Sequence, residues 1–259
     1  MFSKLHIVII LKCLNFYIFL EFKFNKMLTK KRYSVKDMVL WTRGETLIYL
    51  SYAAIITVLY TVFGFTFLNV PWTPVALIGT AVAFLVGFQN NSAYGRIWEA
   101  RMIWGAIVNT SRSWGMKVQD MVTNEYCNDP VSENELKEHK KVLIYRHIAW
   151  MTALRYAMRQ RKSWETQHKA KTNQEWRDAI HIPEEVSSLE DNLLIYLSEE
   201  ERNYVLSKGN KQTAILYLQS KHIRTLKEKG LIWEFYFLEL ENVIESLFTH
   251  QGKSERIKN

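Results

Sequence analysis

The chain has 259 residues, 48% of them hydrophobic and 14% aromatic, which excludes a disordered polymer and leaves room for one large domain or two smaller ones. Its net charge of +8 comes from Lys and Arg interleaved with Asp and Glu, and no nucleic-acid recognition motif accompanies it, so a cytoplasmic membrane surface explains the excess as well as nucleic acid would. Cys13 and Cys127 lie in neither CxxC nor Cys/His spacing, which indicates neither a disulfide framework nor a zinc site and fits a reducing compartment.

In chain order, the first element is an apolar leader. Leu5 to Leu20 is broken by His6, Lys12 and Asn15, and no small-residue cleavage site follows it, so it makes neither a good span nor a good secretory signal. Residues 1–26 read as an upstream extension with translation starting at Met27; a weak extra span is the alternative.

From Thr46 through Gly95 there is no Asp, Glu, Lys or Arg. Residues 46–68 (TLIYLSYAAIITVLYTVFGFTFL) are long enough to cross a hydrocarbon core of about 30 Å at about 1.5 Å per residue, and predict a first transmembrane helix. Residues 69–74 (NVPWTP), with Trp72 beside two prolines, predict a turn at the membrane interface. A second uncharged run goes from Val75 to about Phe88, and the polar residues beyond it must help complete the crossing. The two helices then form a hairpin. Lys30, Lys31, Arg32, Lys36 and Arg43 precede the first span, and Arg96 and Arg101 follow the second, which puts both ends in the cytoplasm. Two core helices of a soluble protein could also be free of charge. Helices apolar on every face need cover on every face, however, and the downstream helices are too polar to surround both.

Beyond the spans the periodicity is helical, without convincing strand runs. One helix is expected from Ala93 or Ile97 to Asn124, continuing the second span into water. Ser132 with Glu135 makes a capping box for a helix to about Arg161. Residues 160–178 read as a loop with a short helix. Further helices are expected over Pro183–Leu197, Thr213–Lys227 and Trp233–His250, separated at Gly209 and Gly230. The expected architecture is an all-α membrane protein: a transmembrane helical hairpin over 27–95, its second span extended into a cytoplasmic helical bundle over 96–259. No metalloprotease, phosphate-loop or nucleophile motif is present, so neither an enzyme, a metal nor a cofactor is expected. His139 and His147 share a helix face and read as packing residues.

Residues 88–101 (FQNNSAYGRIWEAR) place a polar cluster against the end of the second span. Residues 77–112, LIGTAVAFLVGFQNNSAYGRIWEARMIWGAIVNTSR, closely resemble the signature of the bestrophin family, particularly its bacterial branch. A second stretch, FLELENVIESLFTHQGKSERIKN at 237–259, is similar to the helix leading into that family's third membrane span. The resemblance covers about Met27 to Asn259. It implies a homopentameric channel passing small monovalent ions through a pore lined by the second membrane helix; the general label is chloride, and bacterial members can favour cations. Its neck positions carry over to Thr80, Phe84 and Phe88, which four-residue spacing stacks on one helix face. Gln89, Asn90, Asn91 and Ser92 would sit at the pore exit, able to face water or neighbouring helices. Arg96, Glu99 and Arg101 read as structural ion pairs, Arg96 with Glu99 at i,i+3. Tyr94 and Trp98 suit the membrane boundary. A loose alignment puts the family's cytoplasmic constriction at Leu231 to Trp233, with Ile232 chosen.

The expected partners are further copies of the chain, monovalent ions and the lipid bilayer, with no nucleic acid. The expected place is the bacterial inner membrane, multi-pass, with the N-terminal segment and the helical region in the cytoplasm. Bacterial relatives usually have Arg at Gln89, a second Trp at Ile97 and an aliphatic residue at Thr80, so the ion preference does not carry over. The family continues past the position of Asn259 with a Thr-Pro step and two more spans, so the chain resembles a truncated member; the acidic calcium cluster of animal members would lie beyond. The competing function is a membrane-anchored helical interaction module that does not conduct.

Overall fold

The computed structural model describes residues 34–69, 71–162, 173–175 and 182–258. The expectation for residues 1–26 lies outside these. Two compact units are present, one taking residues 1–69 and 163–182, the other residues 70–162 and 183–259. All regular structure among the described residues is helical.

In the first unit, helix α1 spans Val35–Thr61 and starts well before the apolar run. The cause is a capping box: the Ser34 side chain accepts from the helix's first backbone amides while the Ser34 N–H donates to Asp37, so two otherwise unpaired donors are satisfied. The helix also ends earlier than the sequence suggested, at Thr61 instead of residue 68. Gly64 takes φ +70°, a left-handed conformation that glycine adopts without steric cost, and the Phe65 N–H turns back to the Leu59 carbonyl at 3.3 Å. A 3-10 turn at Thr66–Leu68 follows. It leaves Phe63, Phe65 and Phe67 exposed in a ladder with ring centroids 6.2 and 5.8 Å apart, an aromatic girdle where the apolar helix stops. Near the other end of α1, Trp41 donates to Asn173 at 3.1 Å and Arg43 pairs with Glu175.

The second unit is organised by one helix. α2 runs from Trp72 to Met121, 50 residues, or about 75 Å at about 1.5 Å per residue. Pro71 is its N-cap, and Pro74 sits in the first turn, where a missing N–H costs nothing. The buried residues of α2 are Ile103, Ile107, Trp114 and Val118, a stripe on one face confined to the second half. The apolar windows of α1 and α2 are both 0% buried, so no core among the described residues covers them, which argues against the soluble alternative.

α3, Glu133–Arg159, starts at the expected cap, where the Ser132 hydroxyl accepts from the Glu135 N–H at 3.2 Å. The stretch expected as one helix from Pro183 divides into α4 (Pro183–Val186) and α5 (Leu189–Leu193), because Ser188 caps a new start by accepting from the Asp191 N–H. α6 (Glu199–Leu206), α7 (Lys211–Glu228) and α8 (Glu234–Lys258) complete the unit. α8 passes through Gly252 to Lys258 instead of ending near His250. A helical glycine costs about 1 kcal/mol, and burial of Gln251 and Ser254 on either side offsets it.

The core lies among α2, α3, α7 and α8, with Trp114, Leu143, Trp150, Leu154, Ile215, Ile223, Leu240 and Leu247 all but excluded from solvent. Several of its polar groups are paired across helices. The Leu143 carbonyl accepts from both Trp114 Nε1 at 3.4 Å and Gln219 Nε2 at 2.8 Å, while Trp150 Nε1 donates to Gln251 Oε1 at 3.1 Å. The turn between α7 and α8 requires glycine twice over: Gly230 has φ +77°, and a Cβ there would lie 3.3 Å from the Cys127 Cα. The same turn is clasped to the end of α2 by the Thr123 N–H donating to the Leu231 carbonyl at 2.9 Å.

Candidate functional site

The uncharged half of α2 holds the proposed site residues. Thr80, Phe84 and Phe88 form one stripe, four residues apart, and all three are exposed. Phe84 and Phe88 are 64% and 67% exposed, with rings stacked at 6.4 Å. The Thr80 hydroxyl donates to the Ala76 carbonyl at 3.0 Å, so the one polar group of the stripe is satisfied inside the helix and presents mainly its methyl. Beside the stripe Gly79, Ala83 and Gly87 lie along a shallow groove walled by Val82 and Val86, which opens onto Gln89 and Asn90. Small residues there let another helix approach closely.

Gln89, Asn90, Asn91 and Ser92 complete one turn of exposed polar side chains at the end of the apolar stretch, and none has a side-chain hydrogen bond among the described residues. Tyr94 and Trp98 follow, exposed and stacked at 6.3 Å. The expected Arg96–Glu99 pair is not formed. Glu99 pairs instead with Arg256 near the end of α8, a tertiary contact that local spacing does not reveal, while Arg96 and Arg101 make no ion pair among the described residues.

Ile232 requires a larger correction. It is 2% exposed, held in the core with Leu231, so in this structure it faces no path through which an ion could pass. The neighbouring Trp233 is exposed and belongs to an aromatic cluster with Tyr126, Phe235 and Tyr236. The turn clasp that buries Ile232 joins residues far apart in sequence, so the local pattern gave no warning.

The sequence reading also missed a chain of ionisable groups across the helical unit. Arg146 pairs with Glu201, and its Nη1 lies 2.7 Å from His222 Nδ1. Arginine can only donate, so Nδ1 accepts and His222 carries its proton on Nε2, which donates to His139 Nδ1 at 3.2 Å. Burial, followed by the nearby Arg146 charge, holds the His222 pKa down to about 3. His147 sits between Trp114 and Trp150, with ring centroids at 6.2 and 5.5 Å, and neither ring nitrogen has a partner. Burial alone lowers its pKa to about 4.

Both histidines are neutral in the folded state and acquire a proton more readily on unfolding. Their stabilising effect is therefore complete above pH about 6.5 and lost as pH falls toward their folded values. For His147, 5% exposed, the loss between pH 6.5 and about 4 amounts to about 3 kcal/mol. Thermal melts from pH 7 to pH 4 are expected to fall in that window, and His147→Leu is expected to flatten the fall. A parent and variant with parallel profiles would contradict this account. Among the described residues, no group of three or more His, Cys, Asp or Glu could hold a metal ion.

Fold and site together define an all-helical chain with two helices long and apolar enough to cross a membrane, the second continuing into a packed helical unit. Residues 24–259 match the family described as bacterial/fungal bestrophin protein, and the chain belongs to that family. Among its relatives, the voltage-dependent anion channel-forming protein YneE of Escherichia coli K12 is 23% identical over 204 residues, which are 78% of this chain and 55% of YneE. The voltage-dependent anion channel-forming protein RSc3414 of Ralstonia nicotianae is 51% identical over 45 residues, 17% of this chain and 15% of that protein. A bacterial bestrophin homologue from Klebsiella pneumoniae has the same fold, with TM-score 0.58 and 19% identity, over 83% of this chain and 67% of that one. The chain spans about half the length of YneE.

Proposed function

We propose that this chain is a subunit of a homopentameric ion channel in the bacterial inner membrane, with α2 lining the pore. The observation that carries the reading is the uncovered stripe of Thr80, Phe84 and Phe88 on a charge-free stretch of a helix whose other half is fixed in a folded core. Five copies of such a stripe around an axis make stacked apolar rings, which pass ions weakly held and close by dewetting. The adjacent glycines and alanine allow neighbouring helices to come close enough for a narrow neck. Gln89 to Ser92 then meet water at the cytoplasmic exit, and Tyr94 and Trp98 anchor the boundary. Basic residues flank the apolar helices on the sides assigned to the cytoplasm.

Two relatives are named as voltage-dependent anion channel-forming proteins, which supports small monovalent anions as the conducted species. The neck itself carries no charge of either sign, so its rings add no selectivity of their own. The test is ion flux into liposomes reconstituted with the purified protein, with chloride and potassium gradients applied separately. Chloride flux that depends on the protein, from an assembly of five subunits in detergent, is the expected result. A monodisperse oligomer with no flux of either ion would favour the non-conducting helical module instead.

A further inference from the structure

The helical unit contains a cavity of about 520 Å³, within the range of small-molecule sites, formed where the ends of α3 and α8 meet the start of α7. Two of its acidic lining groups are paired with cations, Glu184 with Arg155 at 2.7 Å and Glu185 with Arg161 at 3.3 Å, and Glu255 accepts from the neutral amides of Gln251 at 2.9 Å and Asn210 at 3.3 Å. Of its four basic lining groups, Lys258 is engaged, while Arg159, Lys162 and Lys211 make no ion pair among the described residues. Lys211 opens α7, an 18-residue helix whose cap Asn210 accepts from the Thr213 N–H at 3.0 Å and from Gln251 Nε2 at 3.2 Å, and the positive end of the helix dipole adds to the same potential. The cavity is thus prepared for a compact anion with several oxygen acceptors.

Its level along α2 narrows the source. About 20 residues counted from Val75 cross about 30 Å of hydrocarbon and reach about Tyr94; the headgroup layer adds about 5–7 Å and reaches about Glu99. Glu99 is the residue that Arg256 of α8 holds, and the same last turns of α8 supply Glu255 to the cavity. α3 runs antiparallel to α2, since Trp114 meets Leu143 and Ser111 meets Met151, so Arg159 and Lys162 arrive at that end too. We propose that this cavity binds a phosphate group, and that the phosphate is the headgroup of an anionic lipid in the cytoplasmic leaflet. The lipid assignment rests on the membrane placement given above; the phosphate chemistry rests on the cavity alone. An occupied cavity would join three helices at the point where the pore-lining helix leaves the membrane, making lipid composition a control on the rigidity of that exit.

The test uses the purified chain in detergent, its melting temperature titrated with dioleoylphosphatidylglycerol, dioleoylphosphatidylcholine and inorganic phosphate. Phosphatidylglycerol is expected to raise it saturably, inorganic phosphate to raise it only at much higher concentration, and phosphatidylcholine to leave it unchanged. With Arg159→Gln, Lys162→Gln and Lys211→Gln combined, the midpoint is expected to weaken about a hundredfold, at about fivefold for each basic side chain lost. The charge-keeping set Arg159→Lys, Lys162→Arg and Lys211→Arg is expected to behave as the parent, and Lys162→Gln alone to move the midpoint in the same direction by less, which keeps the test open if the triple variant does not fold. An equal, saturable response to inorganic phosphate would overturn the lipid source. A phosphatidylglycerol response indifferent to the three residues would overturn the site. Carbonate washing of membranes separates the two proposals: a chain that stays in the membrane yet shows no such response sinks this inference alone, and a chain released by carbonate sinks the membrane reading beneath it.

Discussion

Conductance through the reconstituted protein is expected to rise on the order of tenfold when Phe84 and Phe88 are both replaced by alanine, because lowering the barrier by about 1.4 kcal/mol gives that factor. The physical basis is the dewetted ring. Each phenylalanine presents a large exposed apolar surface on the same stripe, and in a five-fold arrangement two such rings would hold water out of a narrow segment. Alanine removes most of that surface without disturbing the helix, since it is the best helix former and neither ring is packed in the core. Single-channel recording in planar bilayers measures the effect. Unchanged conductance, with the oligomer intact, would mean that the two rings face lipid or a neighbouring helix.

The second large effect concerns the scaffold. Trp150→Ala is expected to destabilise the helical unit by about 3–5 kcal/mol, the cost of emptying a fully buried large side chain. More than volume is lost, because Trp150 Nε1 donates to Gln251 Oε1, and the Gln251 amide in turn donates to Thr213 at 2.9 Å and Asn210 at 3.2 Å. Removing the tryptophan leaves a buried acceptor unpaired and loosens α8 from α3 and from the start of α7. Denaturant melts followed by tryptophan fluorescence and far-ultraviolet circular dichroism would register it. A loss below about 1 kcal/mol would show that the core relaxes around the gap more freely than close packing allows.

The features legible in the sequence were those with short-range causes. The gap in charge from Thr46 to Gly95 marked both apolar helices, and the Ser132–Glu135 spacing marked the start of α3. That α2 continues unbroken from the apolar stretch into the packed unit followed from helical periodicity without a breaker. The ends of α1 have local signals too: Ser34 and Asp37 have capping spacing, and Gly64 in VFGF is a helix stop, although the apolar run extends past the glycine and begins well after the cap.

What escaped was tertiary. Glu99 had a plausible local partner in Arg96, and its actual partner, Arg256, lies 157 positions away. Ile232 was chosen by a loose alignment to the family's constriction, yet the backbone clasp from Thr123 to Leu231 draws it into the core. His139 and His147 were expected on one face, but His139 meets His222 of α7 while His147 is enclosed by Trp114 of α2 and Trp150, and nothing local distinguished the two. Such assignments depend on which helices meet, and periodicity within one helix carries no information on that.

The claim at the centre of this account is that the face of α2 bearing Phe84 lines a water-filled path. A single cysteine in place of Phe84, with Cys13 and Cys127 changed to serine, tests it directly in flux-competent liposomes treated with a charged, membrane-impermeant methanethiosulfonate. The account predicts modification of the new cysteine and block of ion flux. A cysteine that the charged reagent cannot reach, that a lipid-soluble maleimide labels readily, and whose labelling leaves flux intact would contradict it.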